Sequence, residues 1–407
     1  MMRRILAWLL AGVACAAHAG VPSYRVDYRI GFDPKRGEAL VAMTVTPGDG
    51  RLARLRFTID SERHRELKAD GRLTRKGAHY TWRPPADGPG TLRFRYKVDR
   101  ERGSGGFDAR MTEDWAILRA DRLIPPASTV APDGAVAKAR LRFDLPPGWT
   151  NREIGYAFSP SLDVFLIENP GRRFQQPLGW IIAGSVGTRR DLIDGMEVVV
   201  AAPKGDALRR NDVLAMLNTA VPVAREIFGR LPPKLLVVGA GDPMWRGGLS
   251  APNSLFLHAD RPMISENGTS ALLHELVHVV TRIRGARGED WIAEGFAEFY
   301  SIRLARRAGL ISEARAEKAL AWMREHGKDV RRLAARSSSG ERTARAVALL
   351  ADLDAEIRHG TGGRHDLDEV ARRLVGRGRI SLAELEEAVT AVLGRPSRVL
   401  QADVLAV

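Results

Sequence analysis

From residue 21 to about 190, apolar positions alternate or run over strand lengths: Tyr24–Ile30, Ala39–Thr46, Leu92–Val98, Ala139–Phe143 and Val164–Ile167. Proline and glycine clusters at 46–50, 84–90 and 146–148 separate these runs, as tight turns between strands require. That pattern predicts an antiparallel sandwich or saddle. From about Met196 the pattern changes. Apolar strands at 198–201, 235–238 and 254–257 are interleaved with a helical stretch from 207 to about 230, bent at Pro222. Two strongly apolar helices follow, one through Ala271–Val280 and one through Trp291–Arg307. Beyond residue 308 only the helical period remains, predicting helices near 313–326, 341–358, 366–375 and 382–393, with a loop over 328–342. Ser381-Leu382-Ala383-Glu384 is a capping-box signature, and Asp366 with Glu369 resembles another. The chain is therefore expected to be α+β, with an N-terminal antiparallel β domain (20–192), a domain of small sheet plus helices (193–308) and a C-terminal helical lobe (309–407).

The first 19 residues stand apart. Met1-Met2-Arg3-Arg4 is basic, Ile5–Ala17 is an apolar run of 13 residues, and Ala17-His18-Ala19 is a small-residue cleavage pattern. This predicts a secretory signal peptide, too short for a spanning helix, and hence an exported protein, periplasmic or secreted by a bacterium, with no stable membrane insertion after cleavage. The one cysteine, Cys15, lies inside that segment. The exported chain is then expected to carry no thiol, which excludes disulfides, cysteine zinc ligands and a cysteine nucleophile.

Net charge is +14, with 63 basic against 49 acidic residues. Such a balance raises the question of a nucleic acid partner, but the arginines are interleaved with Asp and Glu and form no basic arm or tail, so none is expected. The densest local run, Arg282–Arg287, follows the first apolar helix. It would focus field on a neighbouring site and favour acidic or carboxylate-bearing substrates, or it is simply a solvated basic surface.

The candidate chemistry lies in those two helices. His274-Glu275-Leu276-Val277-His278 places two imidazoles at i and i+4 on one helix face, where both can reach one metal ion. Catalytic zinc takes three protein ligands and keeps one position open, and Glu294 on the next helix is the expected third ligand to a single Zn2+. The loop Arg284–Gly288 lets the chain turn back to bring it there. Glu275 stands beside the open position as general base. Glu298, at i+4 from Glu294, either orients a zinc-bound histidine or is a solvated charge. Upstream, Gly247, Gly248 and Leu249 are candidate substrate-binding residues, because an edge strand there can pair with an extended peptide and glycine lets a backbone approach closely.

His274-Glu275-Leu276-Val277-His278 together with Trp291-Ile292-Ala293-Glu294-Gly295-Phe296-Ala297-Glu298 resembles the gluzincin zinc metallopeptidases, in particular the glycyl aminopeptidase family and its relatives among the zinc aminopeptidases. The resemblance covers roughly residues 195 to 395, strongest at the zinc motif. It implies that 193–308 is a thermolysin-like zinc catalytic domain, that Glu294 is the third ligand, and that the substrate is a peptide or protein. Gly247-Gly248-Leu249-Ser250-Ala251 is similar to the family's Gly-Gly-Leu-Glu-His segment, but Ser250 stands where the family has the Glu that receives a free amino terminus, and Ala251 replaces the His. The stretch between His278 and Glu294 is shorter than in the zinc aminopeptidases. No tyrosine follows Tyr300, so the family's oxyanion-stabilising tyrosine is missing; Arg358, His359 and His365 are the candidate replacements, or merely end a helix. The expected function is that of an exported zinc-dependent peptidase, in exo- or endo-mode; the alternative is a weak or inactive zinc protein that binds peptides or serves as a scaffold.

Overall fold

The computed structural model describes residues 21–405 apart from residue 104. The expected signal peptide, with Cys15, lies outside the described residues. No helix among those described is long and apolar enough to cross a membrane.

The alternating runs form strands as their pattern demands. Ser23–Asp33, Glu38–Thr46 and Gly90–Lys97 lie side by side in a seven-stranded sheet, with every second residue buried along Ser23–Asp33. One expectation is corrected here. Ser23–Asp33 and Val136–Asp144 pair in parallel, from Ser23 opposite Val136 to Gly31 opposite Asp144, so this sheet is not purely antiparallel. Between those two strands the chain passes through two further sheets, and that long crossover brings it back in the same direction.

The second N-terminal sheet contains Trp115–Arg119 and Trp180–Gly184, and it packs face to face on the sheet that precedes the HExxH helix. The latter has five strands in the order Val186–Ile193, Met196–Pro203, Lys234–Ala240, Ser254–His258 and Gly248–Ala251. Its middle three are parallel, and the helix Arg210–Phe228, which runs through Pro222, makes the crossover between the first two of them. Val198 and Val200 face that helix and the HExxH helix, whereas Val199 and Ala201 face Ile117, Trp180 and Ile182. A strand covered on both faces must be apolar throughout, which is why this run shows no alternation. Val186–Ile193 pairs along its whole length with Met196–Pro203 and so belongs to this sheet, although the boundary expected at 192/193 would assign it to the N-terminal domain.

The C-terminal helices span Glu313–Gly327, Glu341–Gly360, Leu367–Leu374 and Leu382–Leu393. Ser381 and Glu384 make the complete capping box. Asp366 caps its helix by accepting from Asp368 N–H, but Glu369 turns away to Arg372, so the second box does not form. The last turns are tied to the long helix by Glu356, whose carboxylate accepts from Ser397 Oγ at 2.5 Å, Arg398 N–H at 3.0 Å and Val399 N–H at 3.2 Å. Burial alone would raise its pKa, but these bonds and Arg395 draw it from 4.5 down to about 2. A carboxyl depressed on folding stabilises the fold above its unfolded pKa and loses that contribution as pH falls through its folded one. About 2 kcal/mol, already reduced for the solvent that reaches this group, should therefore disappear on acidification, over a window whose upper end is 4.5 and lower end about 2. Denaturation of wild type and Glu356→Gln across that window checks it; parallel losses in both proteins would refute the assignment.

Candidate metal centre and cleft

The HExxH helix spans Ala271–Thr281. Ser270 caps it by accepting from Leu273 N–H at 3.4 Å, and Leu272, Leu273, Leu276, Val277, Val279 and Val280 are buried. Each such side chain contributes roughly 1.5–3 kcal/mol of burial, enough to fix the helix and hence the two imidazoles on its other face. Glu294 is on the helix Asp290–Arg307. Gly295 next to it is required by packing: a Cβ there would stand 2.8 Å from Ala346 Cβ, so only glycine lets the helix Glu341–Gly360 lie this close.

The structure brings the three expected ligands together. His274 Nε2 and His278 Nε2 are 3.2 Å apart, and Glu294 lies 3.3 Å from the first and 3.4 Å from the second. Four ligands placed tetrahedrally at about 2.0–2.1 Å from zinc are separated by roughly 3.3–3.4 Å, so this donor set fits the ion. The chemistry fits as well. His274 Nδ1 is 2.6 Å from Glu298 Oε2, which holds the proton on Nδ1 and directs the Nε2 lone pair at the ligand cluster. Burial opposes charge on His274, yet hydrogen bonds to Glu294 and Glu298 hold its pKa well above the ordinary value, so a metal ion entering here would displace the proton from Nε2. Burial likewise opposes ionisation of Glu294, and its bonds to the two histidines outweigh that and hold the carboxyl well below the usual range. Glu298→Ala should weaken zinc binding by about 10- to 100-fold with the fold intact. Competition with a chromophoric chelator measures it, and unchanged affinity would remove Glu298 from this role.

Glu275 is buried between its helix and the edge strand Gly248–Ala251. A Cβ on Gly248 would meet Glu275 Cγ at 2.8 Å and Oε1 at 3.0 Å, so glycine gives the carboxylate its space. Of the three expected substrate-binding residues, only Gly248 abuts the metal site. Gly247 packs under the Trp245 ring, and Leu249 packs into the layer between the two sheets, because alternate residues of a strand face opposite ways. Gly247 C=O accepts from His258 N–H at 3.0 Å. With the pairing Leu249–Phe256 and Ala251–Ser254, the ladder bonds then fall on odd-numbered residues and leave the main-chain groups of Gly248 and Ser250 at the open edge.

The expected oxyanion donors are not brought to the ligands. The long helix faces Glu294 at the level of Ala346, and Arg358 is twelve residues further along, roughly 18 Å at 1.5 Å per residue. Arg358 pairs with Asp354 and Asp366, and His365 N–H donates to Thr361 just past the same helix end. Tyr300 is fully buried among Phe228, Phe296 and Phe299. Sequence reasoning missed Arg119, Arg172 and Arg379, which line the cleft beside His278. They are far apart along the chain, and no local pattern marks them.

No protein-family model matches the chain, and no curated protein matches it in sequence. Solved structures do match in fold. An aminopeptidase N family protein from Idiomarina loihiensis superposes with a TM-score of 0.63 at 14% identity, over 86% of this chain and 69% of that one. Aminopeptidase A of Legionella pneumophila superposes with a TM-score of 0.53 at 13% identity, over 95% of this chain; this chain spans about half the length of that protein, 50% of it being covered. At such identities the likeness is one of architecture: this chain has an aminopeptidase-like fold.

Proposed function

We propose that this chain is an exported zinc-dependent peptidase, with His274, His278 and Glu294 holding one zinc ion and Glu275 as general base. The observation that carries the reading is the placement of Glu275 between the three clustered ligands and an open strand edge that offers the main-chain groups of Gly248. An extended peptide added to that edge would run its backbone past Glu275, held by main-chain hydrogen bonds from Gly248. Zinc, when bound, supplies Lewis acidity and lowers the pKa of water toward about 7. Glu275 then takes the proton from the attacking water and delivers it to the departing amine. Glu298 keeps the proton on His274 Nδ1 throughout. Export rests on the N-terminal sequence pattern. Ser250, in place of an amine-binding Glu, leaves no carboxylate on the edge strand to demand a free amino terminus, which favours cleavage of blocked peptides.

A mixed peptide library, half with free and half with acetylated amino termini, tests this by mass spectrometry of the products. Cleavage should stop when a chelator strips the metal and return with added zinc, and acetylated peptides should be cut. A folded, zinc-loaded protein that cleaves nothing would overturn the peptidase reading in favour of a peptide-binding one.

A further inference from the structure

Beside His278 the cleft opens into a cavity of about 350 Å³. Arg119, Arg172, Arg282, Arg284 and Arg379 line it, and no carboxylate does. They come from separate parts of the chain. Arg119 ends a strand of the N-terminal region, and Arg172 is in the turn after Val164–Ile167. Arg282 follows the HExxH helix, and Arg284 pairs in parallel register with Arg379 across a two-stranded ladder. Arg119 is paired with Asp121 and also reaches Ser250 C=O at 3.4 Å. Arg282 donates to Asn253 Oδ1 at 2.7 Å. Arg172, Arg284 and Arg379 have no acidic partner among the described residues, and all three are exposed.

Two features show that this convergence is held in place. Arg282 sits at φ 55°, at the helix C-cap, and Asn253, which holds its guanidinium, also has φ 55°. The left-handed conformation is disfavoured for a residue with a long side chain, and glycine is the usual residue at such a helix end. The guanidinium groups converge on one cavity with no carboxylate among its lining residues, so they repel one another as they stand. An anion entering the cavity would relieve that repulsion.

Ser250, Ala251 and Pro252 line the same cavity, and they lie at the far end of the strand whose Gly248 adjoins Glu275. A substrate backbone on that edge therefore passes from the general base directly to the arginines. We propose that this cavity is an anion subsite of the cleft that receives a carboxylate of the substrate, either an Asp or Glu side chain or a free carboxyl terminus. The proposal rests on the peptidase reading for the pose of the substrate. It also accounts for Ser250: an ammonium group would be repelled from a pocket of this charge.

Calorimetric titration of zinc-loaded Glu275→Gln protein tests it without turnover, using three peptides of one length. One is acetylated and amidated with a central Glu, one has Gln instead, and one carries Gln with a free carboxyl terminus. One or both carboxylate peptides should bind about 10- to 100-fold tighter than the neutral one, and which of them does so identifies the source of the carboxylate. Adding Arg284→Gln with Arg379→Gln, or separately Arg172→Gln, should remove most of that preference. All are exposed positions, and a thermal melt reads their folding independently. Equal affinities, no measurable binding of either carboxylate peptide, or a preference that survives both sets of substitutions would overturn the subsite. Preference without any turnover by the wild type would overturn the peptidase reading and leave the subsite standing.

Discussion

Glu275→Gln should lower kcat/KM for peptide cleavage by about 10²- to 10⁴-fold while the protein retains one equivalent of zinc. In free energy that is roughly 3–5.5 kcal/mol of transition-state stabilisation, the range expected for a lost general base. The substitution nearly preserves shape, so the space that Gly248 leaves for the side chain remains filled. Glutamine cannot accept and then return a proton, and that is the only chemistry removed. His274→Ala provides the contrast: it deletes one of three ligand atoms that lie within 4.8 Å of one another and should abolish zinc binding and activity together. Metal analysis and kinetics on the two variants separate the roles. Activity of Glu275→Gln within tenfold of wild type would sink the assignment of Glu275.

The largest stability effect is expected away from the metal. Arg303, 6% exposed, donates to Asp354 Oδ1 at 3.0 Å and Asp366 Oδ2 at 2.9 Å and lies 3.1 Å from Asp368 Oδ1. Three carboxylates from two helices and their connection thus converge on one guanidinium of the helix that carries Glu294. Arg303→Met should destabilise the protein by about 2–4 kcal/mol, because it removes the cation the three carboxylates share and leaves Asp354 and Asp366 only the exposed Arg358 and the buried Asp368 only Arg307. The pH dependence has a definite sign. Burial already holds the Asp368 carboxyl above its ordinary value and Arg303 is a cation that lowers it, so losing Arg303 raises it further; the penalty is full at neutral pH and shrinks as acidification protonates Asp368. Urea midpoints at neutral and acidic pH measure both quantities. A deficit below about 1 kcal/mol at neutral pH, or one that grows on acidification, would contradict this account.

Much of the architecture was legible because local rules suffice for it. The HExxH spacing, the buried apolar face around it and the C-terminal helices follow from a 3.6-residue period, and Ser381 with Glu384 is read from two positions three apart. The parallel partner of Ser23–Asp33 was not legible, since strand direction depends on the path of more than a hundred residues between it and Val136–Asp144. The strand Val186–Ile193 was missed because its exposed stretch, from Arg189 to Leu192, lacks a clear apolar alternation. The edge strand was anticipated, yet Gly247 and Leu249 face away from Glu275. Strand parity decides that, and a sequence shows parity only once the pairing register is known.

By itself the sequence determined the helices and singled out the candidate ligands and the candidate base on them, because i, i+4 geometry is local and the cost of burying unpaired His and Glu points to a metal. Only the tertiary structure decided that Glu294 closes on the histidines at the spacing zinc needs, that Glu298 holds His274, and that Arg119, Arg172 and Arg379 meet Arg282 and Arg284 beside them. Such contacts are made by packing between elements, through Gly295, the stacked sheets and the short ladder that joins Arg284 to Arg379. No sequence period encodes them, since the distances involved are set by how whole elements fill the space between one another.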